Sequence, residues 1–112
     1  MKVPNTEQAI VPRAKLADYL LSSSHRDGRH KARFFSQFGL SQDNWLELEN
    51  LVRQHVQQHE ITKEEPSPFG TRYVVDGIMK MPNGRTPQIR SVRFIRFTEE
   101  FPRFVTAYPV KP

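Results

Sequence analysis

The sequence predicts an α+β domain in which two to three N-terminal helices pack on one face of an antiparallel sheet of three to four strands. Three observations favour this class. Apolar residues recur at helical spacing up to about residue 60, β-rich segments follow from about residue 70, and Asn83-Gly84 is a hairpin signal between two of these segments. Helices followed by antiparallel strands are typical of two-layer α+β domains. We expect one domain, 1–112, with a helical part at 1–60 and a sheet at 70–110.

The helical part contains three segments whose apolar residues recur three and four positions apart. They cover about residues 12–22, 29–38 and 41–59, with apolar faces formed by Leu16, Tyr19 and Leu20; by Phe34, Phe35 and Phe38; and by Trp45, Leu48, Val52 and Val56. Pro12 suits the first turn of the first helix, and Ser41 is a good N-cap for the third. Asp27 and Gly28 precede the second.

The sheet part predicts a meander with a definite register. A two-residue type I′ turn at Asn83-Gly84 pairs Tyr73 with Phe94 and Val75 with Val92. A second hairpin, with a loop of about four residues, pairs Arg93 with Thr106 and Ser91 with Tyr108. Because side chains alternate along a strand, one face becomes apolar and the other polar. The apolar face of Tyr73, Val75, Met79, Val92, Phe94, Val105 and Ala107 is expected to pack on the helices.

Charge is distributed unevenly along the chain. The net charge is +5, but residues 1–40 carry +4, residues 41–69 carry −4 and residues 70–112 carry +5. If the two basic parts meet in the folded domain, they form a patch suited to RNA, to DNA or to an acidic protein. Charge alone does not choose between these partners.

The polar face of the predicted sheet is the first candidate site. It brings Asp76, Ser91, Arg93, Thr106 and Tyr108 to neighbouring cross-strand positions. An arginine clamps phosphate oxygens, hydroxyl groups donate hydrogen bonds to them, and a carboxylate or a phenol moves a proton. The alternative is that a two-layer sheet leaves one face in water, which requires only polar side chains there.

The second candidate is a group of cations at the start of the second helix. Arg26, Arg29, His30, Lys31 and Arg33 lie close together in the sequence, and helix N-termini attract anions. Lys31 is in line with the buried phenylalanines, so its ammonium group either meets an anion or extends to solvent. The residues expected to contact nucleic acid are Arg26, Arg29, Arg33, Arg72, Arg90 and Ser91.

Several kinds of chemistry have no support in the sequence. The chain has no cysteine, and it lacks a Gly-rich phosphate loop and a nucleophile elbow. His55 and His59 have the spacing of two metal ligands, but no third ligand is indicated, so we expect no metal and no cofactor. No segment approaches the ~18 apolar residues of a membrane span, and the N-terminus lacks the apolar part of a signal peptide. We expect a cytoplasmic protein without membrane contact.

RNA cleavage needs neither a metal nor a cofactor, because the 2′-hydroxyl of the substrate is the nucleophile. The protein supplies a proton-transfer group and cations around the phosphate. The candidates for these roles are His30, Lys31, Asp76, Arg93, Thr106 and Tyr108.

Motifs along nearly the whole chain carry a family resemblance. They are Pro4, Asn5, Ala9, Ile10 and Val11; Lys15, Leu16, Tyr19 and Leu21; Gly28, Lys31, Ala32, Arg33 and Phe35; Gly70, Tyr73 and Val75; Pro82 to Arg85; and Ala107 with Tyr108. In these the chain resembles a bacterial and phage domain family of unknown function. It departs from the family at Ser91 to Arg93, where members often have Thr-x-Trp.

The resemblance implies a toxin-like domain, since such domains occur alone and at the C-termini of large bacterial and phage polypeptides. The order of helices and strands is also similar to small ribonuclease toxins of the barnase, colicin and RelE type, although a fold does not determine activity. The first hypothesis is therefore a metal-independent endoribonuclease. The second is a non-catalytic module that binds nucleic acid or an acidic antitoxin or immunity protein. The first depends on Arg93 and Thr106 pointing to the same side of the sheet, within reach of Lys31.

Overall fold

The computed structural model describes residues 1–26 and 28–110; Asp27, expected before the second helix, lies outside this part. The helices are α1 (Arg13–Lys15), which continues directly as a π-helical turn (Leu16–Leu20), α2 (Arg29–Ser36) and α3 (Trp45–Gln58). The strands are β1 (Ile61–Ser67), β2 (Gly70–Ile78), β3 (Gln88–Arg96) and β4 (Arg103–Pro109). The sheet is antiparallel in the order β1-β2-β3-β4. The predicted α+β class is confirmed.

The first helix is distorted where the sequence predicts a regular one. The Leu21 N–H donates to the Leu16 carbonyl at 2.8 Å, five residues back, which makes the wider turn of a π-helix. Leu16, Ala17 and Leu20 are buried, whereas Tyr19 is only partly buried. Tyr19 packs against the edge of the core and keeps part of its side chain exposed.

Residues 61–67, which the sequence analysis places outside the predicted strands, form the edge strand β1. Pro66 lies in this strand opposite Thr71. An edge strand tolerates proline because one of its sides has no hydrogen-bonding neighbour. The sheet therefore has four strands, the upper end of the predicted range.

The β2–β3 hairpin turns through three residues rather than two. The Gly84 N–H donates to the Met81 carbonyl at 2.9 Å, and the Met81 N–H donates to the Arg85 carbonyl at 2.8 Å. Gly84 has a φ of 86°, but Asn83 does not have a positive φ. A type I′ turn needs positive φ at both residues, whereas Pro82 favours a type I turn because its ring holds φ near −65°. The predicted two-residue turn was wrong for this reason.

This turn shifts β3 by one position relative to the predicted register. Arg93 pairs with Tyr73, and Ser91 pairs with Val75. Because successive side chains alternate, a shift of one residue moves every β3 side chain to the opposite face. Val92 and Phe94, predicted to face the helices, lie on the other side of the sheet.

The β3–β4 register also differs from the prediction by one residue. Thr106 pairs with Val92 and Tyr108 pairs with Arg90, with a bulge beyond this point. The two shifts cancel for β4, so Thr106 and Tyr108 stay on the predicted polar face. Arg93 and Thr106 point to opposite sides of the sheet, contrary to the prediction.

The main core lies between the helices and one face of the sheet, and its buried members include Leu16, Leu20, Phe35, Leu48, Val52, Ile89, Phe104 and Ala107. The N-terminal segment covers the end of this layer. Ile10 donates to the Pro102 carbonyl and accepts from the Phe104 N–H, both at 2.8 Å. The opposite sheet face, called the open face below, carries Lys63, Glu65, Arg72, Val74, Asp76, Arg90, Val92, Phe94, Thr106 and Tyr108.

Candidate nucleic-acid interface

Arg93 lies in the core and is absent from the open face. Its side chain has no exposed surface. The guanidinium donates from Nη2 to the Val52 carbonyl at 2.6 Å and lies 4.7 Å from the centre of the Phe104 ring. Its Nε and Nη1 atoms have no hydrogen-bond partner among the described residues. The prediction that Arg93 clamps a phosphate on the polar face of the sheet is therefore wrong, because a side chain buried in this position does not reach a ligand on the sheet surface.

Burial lowers the pKa of Arg93 to about 9, and the charge of Arg53 adds to the effect. The guanidinium is nevertheless protonated at neutral pH. A charge in the core without a carboxylate partner is costly, and the carbonyl and the aromatic ring offset only part of this cost.

Ser91, predicted to contact nucleic acid, is also buried, and its hydroxyl lies 2.9 Å from Nδ1 of His55. The Nε2 atom of His55 lies 3.0 Å from the carbonyl oxygens of Gly77 and Ile89. Because carbonyl oxygens only accept hydrogen bonds, Nε2 carries the proton and Nδ1 accepts from Ser91. Burial lowers the pKa of His55 to about 4, so its ring is neutral at pH 7.

The two histidines considered as metal ligands are occupied by the backbone. Nε2 of His59 lies 2.9 Å from the Ile78 carbonyl oxygen, and Nε2 of His55 faces two other carbonyls. In residues 1–26 and 28–110, no group of three or more His, Asp or Glu side chains is placed to hold a metal ion. None of the helices in the same part of the chain is long and apolar enough to cross a membrane.

Asp76 and Arg90 form a firm ion pair on the open face. Arg90 donates from Nε and Nη2 to the two carboxylate oxygens of Asp76 at 2.8 and 2.9 Å. The pKa of Arg90 is raised above its ordinary value, mainly by the hydrogen bonds to Asp76 and to a lesser extent by the neighbouring Tyr108 hydroxyl. Tyr108 and Arg90 line a groove of about 350 Å³ together with Thr62, Lys63, Glu65, Arg72 and Val74. Arg72 is paired there with Glu65.

Lys31 and Tyr19 form a second polar pair beside the edge strand β4. The Lys31 ammonium donates a hydrogen bond to the Tyr19 hydroxyl. The same nitrogen lies 5.9 Å from the centre of the Tyr108 ring. Lys31 therefore lies beside Tyr108 of the open face, as predicted. Arg93, which was expected beside it, lies in the core on the other side of the sheet.

The environment of Tyr19 favours its ionised form. Burial by itself raises the pKa of Tyr19, but the hydrogen bond from Lys31, the nearby Thr106 hydroxyl and the charges of Lys31 and Lys15 outweigh it, so the pKa is lowered from 10.0. The Thr106 hydroxyl is close enough to contribute, yet its geometry makes no hydrogen bond, and Oγ1 is buried without a partner in the described part of the chain. Thr106 is thus a buried hydroxyl without a hydrogen-bond partner among the described residues, next to a phenol whose pKa is lowered.

We refer to Tyr19, Lys31, Thr106 and Tyr108 as the phenol cluster. It contains two phenols, each beside a cation, because Lys31 contacts Tyr19 and Arg90 is paired in register with Tyr108. Such a set holds a phosphate by charge and supplies two groups that exchange protons. Sequence analysis predicted Lys31, Thr106, Tyr108, Asp76 and Arg90 for the site but assigned Tyr19 to the core. The available signal was the four-residue step from Lys15 to Tyr19, which places a cation beside the phenol.

The remaining cations of α2 face elsewhere. Arg29 and Arg33 line a separate groove of about 490 Å³ against Leu40, Ser41 and Asp43. They lie two positions on either side of Lys31, which places them on a different side of the helix. Arg26 and His30 are exposed. The predicted cluster is therefore divided, and among its members Lys31 is the one that joins the phenol cluster.

The helical layer, the four-stranded meander and the phenol cluster at the sheet edge define a small two-layer α+β domain whose open face carries paired charges. Comparison by sequence places it more closely. The chain belongs to the DUF6883 family, a domain of unknown function, whose model matches residues 2–111. A search of curated proteins found no match.

The fold is similar to that of a chain in a solved complex described as a contact-dependent growth inhibition toxin - immunity protein complex from Klebsiella pneumoniae 342. The two chains superpose with a TM-score of 0.73 and 16% sequence identity, over 91% of this chain and 100% of that chain. At this identity the likeness concerns the fold alone.

Proposed function

We propose that this domain is a toxin-like, metal-independent endoribonuclease whose site is the phenol cluster, which takes the place of the predicted site that depended on Arg93. The observation that carries the proposal is the hydrogen bond from Lys31 to Tyr19, beside Thr106 and Tyr108. A lysine that donates to a phenol lowers the pKa of that phenol, so the pair supplies both a proton-transfer group and a cation. These are the groups that transesterification of RNA requires.

The proposed reaction uses the 2′-hydroxyl of the substrate. Tyr19, as phenolate, accepts the proton of this hydroxyl while the 2′-oxygen of the substrate forms a bond to the adjacent phosphorus. The bond from phosphorus to the 5′-oxygen breaks, and Tyr108 donates a proton to the leaving oxygen. Lys31 stabilises the charge that develops on the phosphate. The products end in a 2′,3′-cyclic phosphate and a 5′-hydroxyl, so no water or cofactor is consumed.

Asp76 and Arg90 are positioning residues in this scheme. The bidentate ion pair holds the Arg90 guanidinium in place next to Tyr108. Arg72 extends the cationic lining along the groove, although Glu65 neutralises part of its charge. His30 and Arg93, both predicted for catalysis, have no part in the scheme, because no contact joins His30 to the cluster and Arg93 is buried.

The same open face suits an acidic protein partner of the immunity or antitoxin kind. Such a protein places carboxylates on Lys31 and the neighbouring cations and so competes with RNA. The fold likeness to a chain of a toxin–immunity complex supports a protein partner. We place the action of the domain in the cytoplasm, where RNA is the abundant substrate.

A non-catalytic binding module is the second candidate, favoured by an aromatic pair at the far end of the sheet. Phe69 and Phe97 are 77% and 70% exposed, and the Phe97 N–H donates to the Phe69 carbonyl at 3.2 Å. Adjacent exposed aromatics are typical anchors of protein interfaces. If this surface alone carries the function, the phenol cluster is dispensable.

Inducible expression in bacteria distinguishes the two candidates. Four proteins are induced to equal levels: the wild-type domain, Tyr19→Phe, Lys31→Met and a control, Arg85→Gln at the exposed hairpin turn. Growth and RNA integrity are then followed. We expect the wild type and the control to stop growth and fragment RNA, and the two cluster variants to do neither. Normal growth with intact RNA for the wild type would favour the binding module.

A further inference from the structure

A second groove lies next to the phenol cluster at the β4 edge. It has a volume of about 310 Å³, and its lining includes Lys15, Phe94, Arg96 and Arg103. Three of its lining residues are cationic and none is acidic. A cavity of this size is at the small end of ligand pockets.

Lys15 connects this groove to the phenol cluster. Its ammonium group lies 5.8 Å from the centre of the Tyr19 ring, and its charge is one cause of the lowered Tyr19 pKa. Lys15 precedes Tyr19 by four residues along the first helix, so the two side chains lie on neighbouring turns. A chain bound at Tyr19 therefore continues into the groove without leaving the surface.

The groove combines a flat apolar side chain with net positive charge. Phe94 is partly exposed and pairs in register with Arg103. Glu99 holds Arg103 with a bidentate contact and also lies 3.4 Å from Arg96, so it neutralises about one of these two charges. Lys15 has no ion pair with any residue that the structure describes. The groove therefore combines the partly exposed Phe94 ring with about two positive charges that no carboxylate of the described residues compensates.

We propose that this groove binds the nucleotide that flanks the cleaved dinucleotide step of a single-stranded RNA, its base against Phe94 and its phosphate on Lys15 and Arg96. The inference rests on the proposed function and narrows its substrate to unpaired RNA longer than a dinucleotide. Single strands are the matching substrate because their bases are free to stack on side chains, whereas bases in a duplex are not.

The test compares two substrates that differ by the flanking nucleotides, a dinucleotide and a tetranucleotide containing the same cleavable step. The variants are Phe94→Leu and Arg96→Gln, with Arg85→Gln as the matched charge control. Lys15 is left intact because its charge also acts on Tyr19. We expect kcat/KM for the tetranucleotide to fall by about 10-fold in both variants, in line with the loss of one stacked base or one phosphate contact, and to stay within 2-fold for the dinucleotide.

Equal effects on both substrates, or no effect on either, would overturn the inference while leaving the proposed function in place. If the wild-type domain cleaves neither substrate nor longer RNA, the proposed function fails and the inference falls with it. Thermal unfolding of each variant shows whether it is folded. A tetranucleotide with a 2′-deoxy residue at the cleavable step is not cleaved, so its affinity for each variant measures binding alone. In that binding assay both variants are expected to lose about 10-fold in affinity.

Discussion

Lys31 donates a hydrogen bond to the hydroxyl of Tyr19, a residue that precedes it by 12 positions. This contact joins α2 to the first helix at the sheet edge. Gly28 permits it, because a Cβ atom there would lie 2.0 Å from the Tyr19 carbonyl oxygen. The glycine therefore serves close packing between the two helical segments, and any larger residue would push Lys31 and Tyr19 apart.

Replacing Lys31 by glutamine is expected to raise the pKa of Tyr19. The substitution removes the hydrogen bond and the charge that hold this pKa below 10.0. The phenolate of Tyr19 is followed by ultraviolet absorbance during alkaline titration, with Tyr19→Phe used to assign its contribution among the three tyrosines. An unchanged titration in Lys31→Gln would contradict the role of Lys31 in setting the basicity of Tyr19.

Acid is expected to destabilise the domain through His55. Burial lowers the pKa of His55 from 6.5 to about 4, although the Gly77 and Ile89 carbonyls oppose this effect. The neutral ring therefore stabilises the fold above pH 6.5, and this contribution is lost as the pH falls towards 4. Between pH 6.5 and 5, the free energy of unfolding should decrease by up to about 1.4 kcal/mol per pH unit from this group.

Urea unfolding at several pH values checks this prediction, with His55→Gln as the test variant and His30→Gln, at an exposed position of α2, as the matched control. The difference between wild type and His55→Gln should shrink as the pH is lowered, whereas the control should keep the pH dependence of the wild type. A pH-independent difference between wild type and His55→Gln would contradict the assignment.

Arg93→Met is expected to leave RNA cleavage intact and to raise the free energy of unfolding by about 1 kcal/mol or more. The substitution removes a buried charge that has two unpartnered nitrogens in the described structure, and it fills a similar volume. Arg93→Lys keeps the charge and should be less stable than wild type. Loss of cleavage in a folded Arg93→Met variant would instead restore the catalytic role that the sequence suggested for Arg93.

Binding to single-stranded RNA is expected to weaken steeply with salt. Each phosphate neutralised on a single strand contributes a slope of about −0.7 in log affinity against log salt concentration, so contacts by Lys15, Lys31 and Arg96 predict about −2. The measurement uses RNA with a 2′-deoxy residue at the cleavable step. Lys31→Met should make the slope shallower by about 0.7, and a slope near zero in the wild type would contradict an RNA-binding role.

The fold class, the face of β2 and the face of residues 106–108 in β4 were predictable from the sequence, but the bulge that turns Phe104 into the core and the face of β3 were not. Asn83-Gly84 is a strong signal for a two-residue turn, and the preceding Pro82 changes that turn. The resulting shift by one residue exchanges Arg93 for Val92 on the open face. The backbone preference of Pro82 thus decides whether Arg93 lies on the open face or in the core.

Tyr19 could not be assigned to the site from periodicity alone. Its spacing places it on the apolar face with Leu16 and Leu20, and its ring does pack against the core while its hydroxyl accepts a hydrogen bond from Lys31. Spacing does not distinguish such a side chain from one that serves the core alone. Lys31 was predictable, in contrast, because a lysine in line with buried phenylalanines needs a polar partner.

The central claim is tested most directly by incubating the purified domain with a 5′-labelled single-stranded RNA in the presence of a metal chelator. We expect fragments that end in 2′,3′-cyclic phosphate, formed about 100-fold more slowly by Tyr19→Phe and by Lys31→Met and at the wild-type rate by Arg85→Gln. Intact RNA after incubation with folded wild-type protein, or equal cleavage by the wild type and both cluster variants, would contradict it.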